Sequence, residues 1–166
     1  GVVRLTADGN FTVAGGFGVV DAGLSKLAVS ADSRRAIATT TAGEIFWGDL
    51  LVGAVPQPLL TGTEAQSIAF DGRTNAWIVN EKGVVQTLLS TGETFDIEID
   101  GLEEGAFVQA VVPSRDSTRA AIIVSTETGS VLLVARVDRP SPANATRIRL
   151  EKPIRVESKL SSVVGL

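Results

Sequence analysis

The sequence predicts an all-β chain, on three observations. Apolar residues alternate at a period of two, turn-forming residues interrupt them every few positions, and one polar motif returns along the chain. No window of helical length carries a 3.6-residue apolar period. Hydrophobic residues make up 44% of the 166 and charged residues 20%, an ordinary globular composition with enough chain to bury a core.

Taken in order, the alternation places strands at 2–5 and 11–14, separated by the turn formers Ala7-Asp8-Gly9-Asn10. Four more follow at 27–30, 36–39, 44–47 and 57–60, with Thr41-Ala42-Gly43 as the reversal between the second and third. The next four lie at 67–70, 76–80, 84–89 and 94–99, broken by Asp71-Gly72, Glu81-Lys82-Gly83 and Thr91-Gly92. The last four lie at 108–112, 120–125, 130–137 and 146–150, with Glu127-Thr128-Gly129 between the second and third.

The repeated motif groups these strands. Ser30-Ala-Asp-Ser-Arg-Arg-Ala-Ile-Ala38 returns as Ser114-Arg-Asp-Ser-Thr-Arg-Ala-Ala-Ile-Ile123, and more loosely as Phe70-Asp-Gly-Arg-Thr-Asn-Ala-Trp-Ile78. Matching Asp32, Asp71 and Asp116 gives spacings of 39 and 45 residues, close to the ~40–45 of one propeller blade. Each Asp then sits at the turn between a blade's first and second strands, where its carboxylate can accept backbone N–H groups just beyond it. The expected architecture is a β-propeller fragment in one region, 1–166, with complete four-stranded blades at 27–60, 67–99 and 108–150. A partial blade at 1–14 and the start of a further one at 159–166 flank them. The two ends either pair into a composite blade, closing a four-bladed ring, or belong to an open piece of a larger propeller; unfinished blades at both ends favour the open piece.

Composition narrows the chemistry. The chain has no His, Cys, Tyr or Met. That removes the Ser-His-Asp triad, imidazole bases, thiolate metal sites and disulfides. The net charge of −4 argues against a nucleic-acid partner. No apolar run approaches the ~20 residues of a membrane span.

The repeats resemble the S-x-D-G-x-R strand turns of TolB-like and WD40-like propellers. The chain is similar, over most of its length, to the C-terminal propeller of actinobacterial LpqB-type lipoproteins. The segments that carry the likeness are Gly16-Phe-Gly-Val-Val-Asp21, Ser67-Ile-Ala-Phe-Asp-Gly72 with Ala76-Trp-Ile-Val79, and Ser114 to Val124 leading to Val131-Leu-Leu-Val-Ala-Arg-Val137. Ser33 and Ser117 stand where the motif has Gly. The resemblance implies a non-catalytic, extracytoplasmic interaction module of a lipid-anchored cell-envelope protein, the fragment itself being soluble and the anchor lying outside it. The implied partner is the extracellular domain of a sensor histidine kinase. It carries no catalytic residue, metal or cofactor onto this chain.

Several residue groups merit a separate reading. Asp96-Ile-Glu-Ile-Asp-Gly101 partly fits a calcium loop, but Glu98 is too long for its third position and Phe107 stands where a bidentate Glu belongs. As an outer strand it would turn Phe95, Ile97 and Ile99 inward and its acids to water. The acidic run Glu93, Asp96, Glu98, Asp100, Glu103 and Glu104 reads as edge protection or as a dock for a basic partner. Arg136, Arg139, Arg147, Arg149, Lys152, Arg155 and Lys159 lean the other way, as solvated strand and loop or as a contact for anionic polymer or lipid.

Gly16-Phe-Gly-Val-Val-Asp21 lacks the third glycine and the helix of a dinucleotide site. The Asp71 segment is similar to a sialidase Asp-box, but the Tyr nucleophile is missing. Asn10-Phe-Thr12 and Asn144-Ala-Thr146 match glycosylation sequons. Trp47 and Trp77 are expected between blades. The rival to an interaction module is a propeller hydrolase or lyase using paired carboxylates such as Asp21, Asp32 and Asp116, since such a pair needs no His. Open blade edges also predict self-association.

Overall fold

In this computed structural model, residues 2–5, 11–14, 23–50, 55–62, 64–72, 75–139 and 149–156 are described, the first two spans and Lys152 by backbone alone. Every regular element among them is a strand. β1 (Val2–Leu5) and β2 (Phe11–Ala14) form an antiparallel hairpin in which Val2 faces Ala14. Then come three antiparallel meanders. The first is β3 (Leu24–Val29), β4 (Arg35–Thr40), β5 (Ile45–Asp49) and β6 (Gln57–Leu60). The second is β7 (Ala65–Phe70), β8 (Ala76–Asn80), β9 (Val85–Leu88) and β10 (Thr94–Asp96). The third is β12 (Phe107–Pro113), β13 (Arg119–Thr126), β14 (Gly129–Asp138) and β15 (Arg149–Val156). These are consecutive propeller blades, with the first strand β7 of the middle blade packed between β3 and β12.

Alternation along each strand supplies a face to each neighbouring blade. Ile37, Ile45 and Trp47 of the first blade pack on Ala76, Ile78 and Leu88 of the second. Trp77 and Val79, one residue out of phase on β8, turn the other way and meet Val111, Ala120, Ile122, Val124 and Leu150 of the third. Both tryptophans therefore sit between blades, as their strand positions predict. Trp47 meets Phe70 edge-on, with ring centroids 5.2 Å apart. Trp77 is fully buried and its indole N–H finds no hydrogen-bond partner among the described residues.

Two strands depart from the sequence expectation. The segment 94–99 divides between blades: Ile97 N–H still donates to Val85 O, but β11 (Glu98–Ile99) pairs in parallel with β15 of the third blade, and Asp100 N–H donates to Leu150 O. Alternation is blind to this switch, because Ile97 and Ile99 keep their period whichever neighbour they pair with. The last strand, expected over 146–150, runs on to Val156, and the 146–148 part of that expectation lies outside the described residues; Pro153 argues against a strand in sequence, yet it falls where the β14–β15 register shifts, the place a sheet tolerates proline. Residues 159–166, expected to begin a further blade, lie outside the described residues.

One irregularity recurs. The register slips between Leu24 and Lys26 in β3, between Ala65 and Ser67 in β7, and between Val108 and Ala110 in β12. Each innermost strand thus carries a β-bulge near its start, and the extra residues are Ser25, Gln66 and Gln109. A bulge of this kind re-aims its side chain and bends the strand.

Candidate functional site

The strand turns that define the repeat are fully built. In the first blade Ser30 Oγ donates to Asp32 Oδ1 at 2.6 Å, Arg34 N–H donates to the same oxygen at 3.1 Å, and Arg35 N–H donates to Ser30 Oγ at 3.0 Å. The third blade repeats this with Ser114, Asp116, Thr118 and Arg119 at 2.6, 3.1 and 3.0 Å. Ser33 and Ser117 occupy the glycine position of the motif and adopt φ of 57° and 58°. The Ser30 hydroxyl and then the Arg34 N–H hold the Asp32 carboxyl below its ordinary 3.8. Ser114, then Thr118, does the same to Asp116.

Asp71 is not the counterpart of these two aspartates. Its N–H donates to Asn75 O, as Ser30 N–H does to Arg35 O and Ser114 N–H to Arg119 O, and its Oδ1 accepts Asn75 N–H. Asp71 therefore stands in the place of Ser30 and Ser114, and the true blade spacings are 41 and 43 residues. The middle turn is one residue shorter between these paired groups, so matching aspartates by letter displaced it by two positions.

Asp71 does a different job. Its side chain is fully buried, and Arg139 Nη2 of the third blade donates to Oδ2 at 3.0 Å. Beside it, Gly72 N–H donates to Ser117 Oγ at 2.8 Å. A Cβ at position 72 would lie 1.7 Å from Arg115 O. Only glycine fits where these two turns touch.

Two of the three carboxylates weighed as a catalytic pair are described, and each is engaged within its own turn. Asp32 and Asp116 are exposed, belong to different blades, and are each bonded within their own turn; Asp21 lies outside the described residues. The acidic run is partly neutralised by the basic segment. Arg149 Nη2 meets Asp100 Oδ1 at 2.7 Å and its Nε lies 3.8 Å from Glu98 Oε2, while Gln86 donates to Asp96. Phe95 and Ile99 are half-buried and Ile97 is buried, as the outer-strand reading expects. The acids of the partial calcium-loop match meet protein donors, and no cluster of three metal-ligating side chains occurs among the described residues. Arg155 and Arg136 are exposed. Gly16 to Asp21, both asparagines of the sequons, Arg147 and Lys159 lie outside the described residues, as does the Lys152 side chain.

A groove of about 610 Å³ lies where the three innermost strands converge. Ser25, Gln66 and Gln109, the three bulge residues, all line it, beside Lys26 and Ser67, with Ile68 and Phe107 among its apolar surfaces. Sequence reading passed over these residues because a bulge breaks the very alternation used to find strands. A signal was present: each lies five residues before Ser30, Asp71 or Ser114.

All of residues 1–166 match the family described as the lipoprotein LpqB β-propeller domain. The chain belongs to that family. Among solved structures it is similar to the β-propeller domain of Cps50 (Swd1) from Myceliophteria thermophila, with TM-score 0.60 and 11% identity over 82% of this chain. It is also similar to KlHsv2 with loop 6CD replaced by a Gly-Ser linker, with TM-score 0.54 and 7% identity over 81%. At such identities the likeness establishes the propeller fold alone. The chain spans 46% of the length of each of these structures. No curated protein matches the sequence. No helix among the described residues is long and apolar enough to cross a membrane.

Proposed function

We propose that this propeller region is a non-catalytic, extracytoplasmic protein-interaction module of a membrane-anchored lipoprotein, and that its partner is the extracellular domain of a sensor histidine kinase. The membership of the LpqB family supports the lipoprotein setting, and the resemblance supplies the partner. One observation supports the absence of catalysis: Asp32 and Asp116 are spent on closing their own strand turns, with depressed pKa values, while Asp71 is paired with Arg139 between blades. A general acid needs a carboxyl raised toward neutrality, and Asp32 and Asp116 are moved the other way. What remains is a rigid scaffold presenting loops and a groove, the usual setting for recognition.

The test is biolayer interferometry of the immobilised chain against the purified extracellular domain of a sensor kinase from the same organism. Saturable binding that survives Asp32→Asn/Asp116→Asn is expected. Hydrolytic or lyase turnover abolished by that double substitution would replace this reading with the enzymatic one. Val29 on the first blade and Ile154 and Val156 on the third are exposed, so apolar side chains mark the outer blades among the described residues. Such side chains favour association with further blades or a second copy, and light scattering measures it.

A further inference from the structure

Three bulges at one level of three adjacent strands are a repeated device, and all three extra side chains enter one groove. Packing does not require them: Ser25 and Gln66 are exposed and Gln109 is half-buried. Among the described residues, the only hydrogen bond of these side chains is a long one, from Ser130 Oγ to Gln109 Oε1 at 3.4 Å. Two primary amides and two hydroxyls, Ser25 and Ser67, are therefore presented to the groove, each amide offering both donors and an acceptor.

The charge of the groove has one sign. Lys26, adjacent to the first bulge and also bordering the adjoining cavity where Glu64 and Glu81 lie, is the one charged residue lining the groove among the described residues, and it makes no ion pair there. This stands out on a chain of net charge −4. The apolar surfaces are aliphatic apart from Phe107. They suit aliphatic side chains better than sugar rings, which call for aromatic faces.

We propose that this groove binds an extended peptide segment of a partner protein through its backbone amides and one acidic side chain. Gln66 and Gln109 match peptide N–H and C=O groups, Lys26 takes the carboxylate, and Ile68 and Phe107 receive apolar side chains. β3, β7 and β12 are end strands of their sheets, so their unpaired edges add backbone partners of the kind used in strand addition. This inference rests on the interaction-module reading and names the site within it.

The test uses the full chain and a fluorescein-labelled, end-blocked octapeptide of alternating Glu and Val, with Gln/Val and Lys/Val octapeptides beside it, read by fluorescence anisotropy. The acidic peptide should bind roughly tenfold more tightly than the neutral one, the loss of about one charge pair. Lys26→Glu should remove that preference and favour the Lys/Val peptide; Gln66→Ala/Gln109→Ala should weaken acidic and neutral peptides alike. Circular dichroism and the urea midpoint confirm folding, and Lys26→Gln replaces any variant that fails it. Equal affinity of wild type and variants, no preference for the acidic peptide, or Lys26-dependent binding of an alginate oligosaccharide without peptide binding would overturn the proposal. Binding of the sensor kinase's extracellular domain that is untouched by these groove variants would overturn it too, while leaving the interaction module standing.

Discussion

Gly72→Ala probes the junction of the second and third blades directly. The new methyl would sit 1.7 Å from Arg115 O, 2.6 Å from Arg115 C and 2.9 Å from Ser117 Oγ, where the first two obstacles are backbone. Bringing the closest contact to 3.0 Å already separates the two turns by more than 1 Å. That strains the Gly72 N–H to Ser117 Oγ bond, now 2.8 Å, and the Asp71–Arg139 pair beside it. Overpacking of this kind costs about 1–3 kcal/mol, and the hydrogen bond adds about 0.5–1.5 kcal/mol. The expected total is about 2–4 kcal/mol, read from urea unfolding as a lowered midpoint. Gly101→Ala is the control, since no atom crowds that site and only its φ of 68° resists a side chain, at about 1–2 kcal/mol. Ser117→Ala should cost about 1 kcal/mol in the native background and nearly nothing beside Gly72→Ala. A Gly72→Ala loss no greater than that of Gly101→Ala would refute the close approach of these turns.

Ser33→Gly should stabilise by about 0.5 kcal/mol, because relief of the left-handed backbone outweighs glycine's entropy, whereas Ser117→Gly should destabilise by about 0.5 kcal/mol, the loss of the Gly72 hydrogen bond exceeding the same relief; thermal melts distinguish them. Arg139→Met removes the guanidinium that donates to the buried Asp71 carboxylate and should cost about 1.5–3 kcal/mol, the range for a hydrogen bond to a charged group, with part recovered in Asp71→Asn/Arg139→Met. Asp32 and Asp116 have folded pKa values below 3.8, so their contribution is present above that value and is lost as pH falls through the folded values. Asp32→Asn/Asp116→Asn should therefore lower the urea midpoint at about pH 6, and the gap to wild type should narrow as the pH falls below 3.8.

Much of the fold was legible because it depends on local rules. Period-two alternation marked each strand, and the Ser-x-Asp-Ser turns marked the first reversal of two blades through side-chain to backbone bonding that spans only five residues. What escaped was non-local. The transfer of Glu98 and Ile99 to the third blade depends on where β15 lies, and the burial of Asp71 depends on Arg139, 68 residues away. The candidate groove escaped for a related reason: Ser25, Gln66 and Gln109 are unremarkable singly and acquire meaning only when three strands are set side by side. The two opposed charged runs were visible as sequence, but that Arg149 would meet Asp100 was not.

The two-residue parallel pairing of β11 with β15 has a mechanical consequence. Arg149 and Leu150 are held on both sides, by β14 and by β11, whereas Ile154 to Val156 are held by β14 alone, so fraying of β15 from its Val156 end should halt at this clasp. Because the clasp belongs to the segment leaving the middle blade, the second and third blades should exchange their amide hydrogens as one protected unit. No such strap joins the first blade to the second among the described residues, and that joint is where slow opening should start.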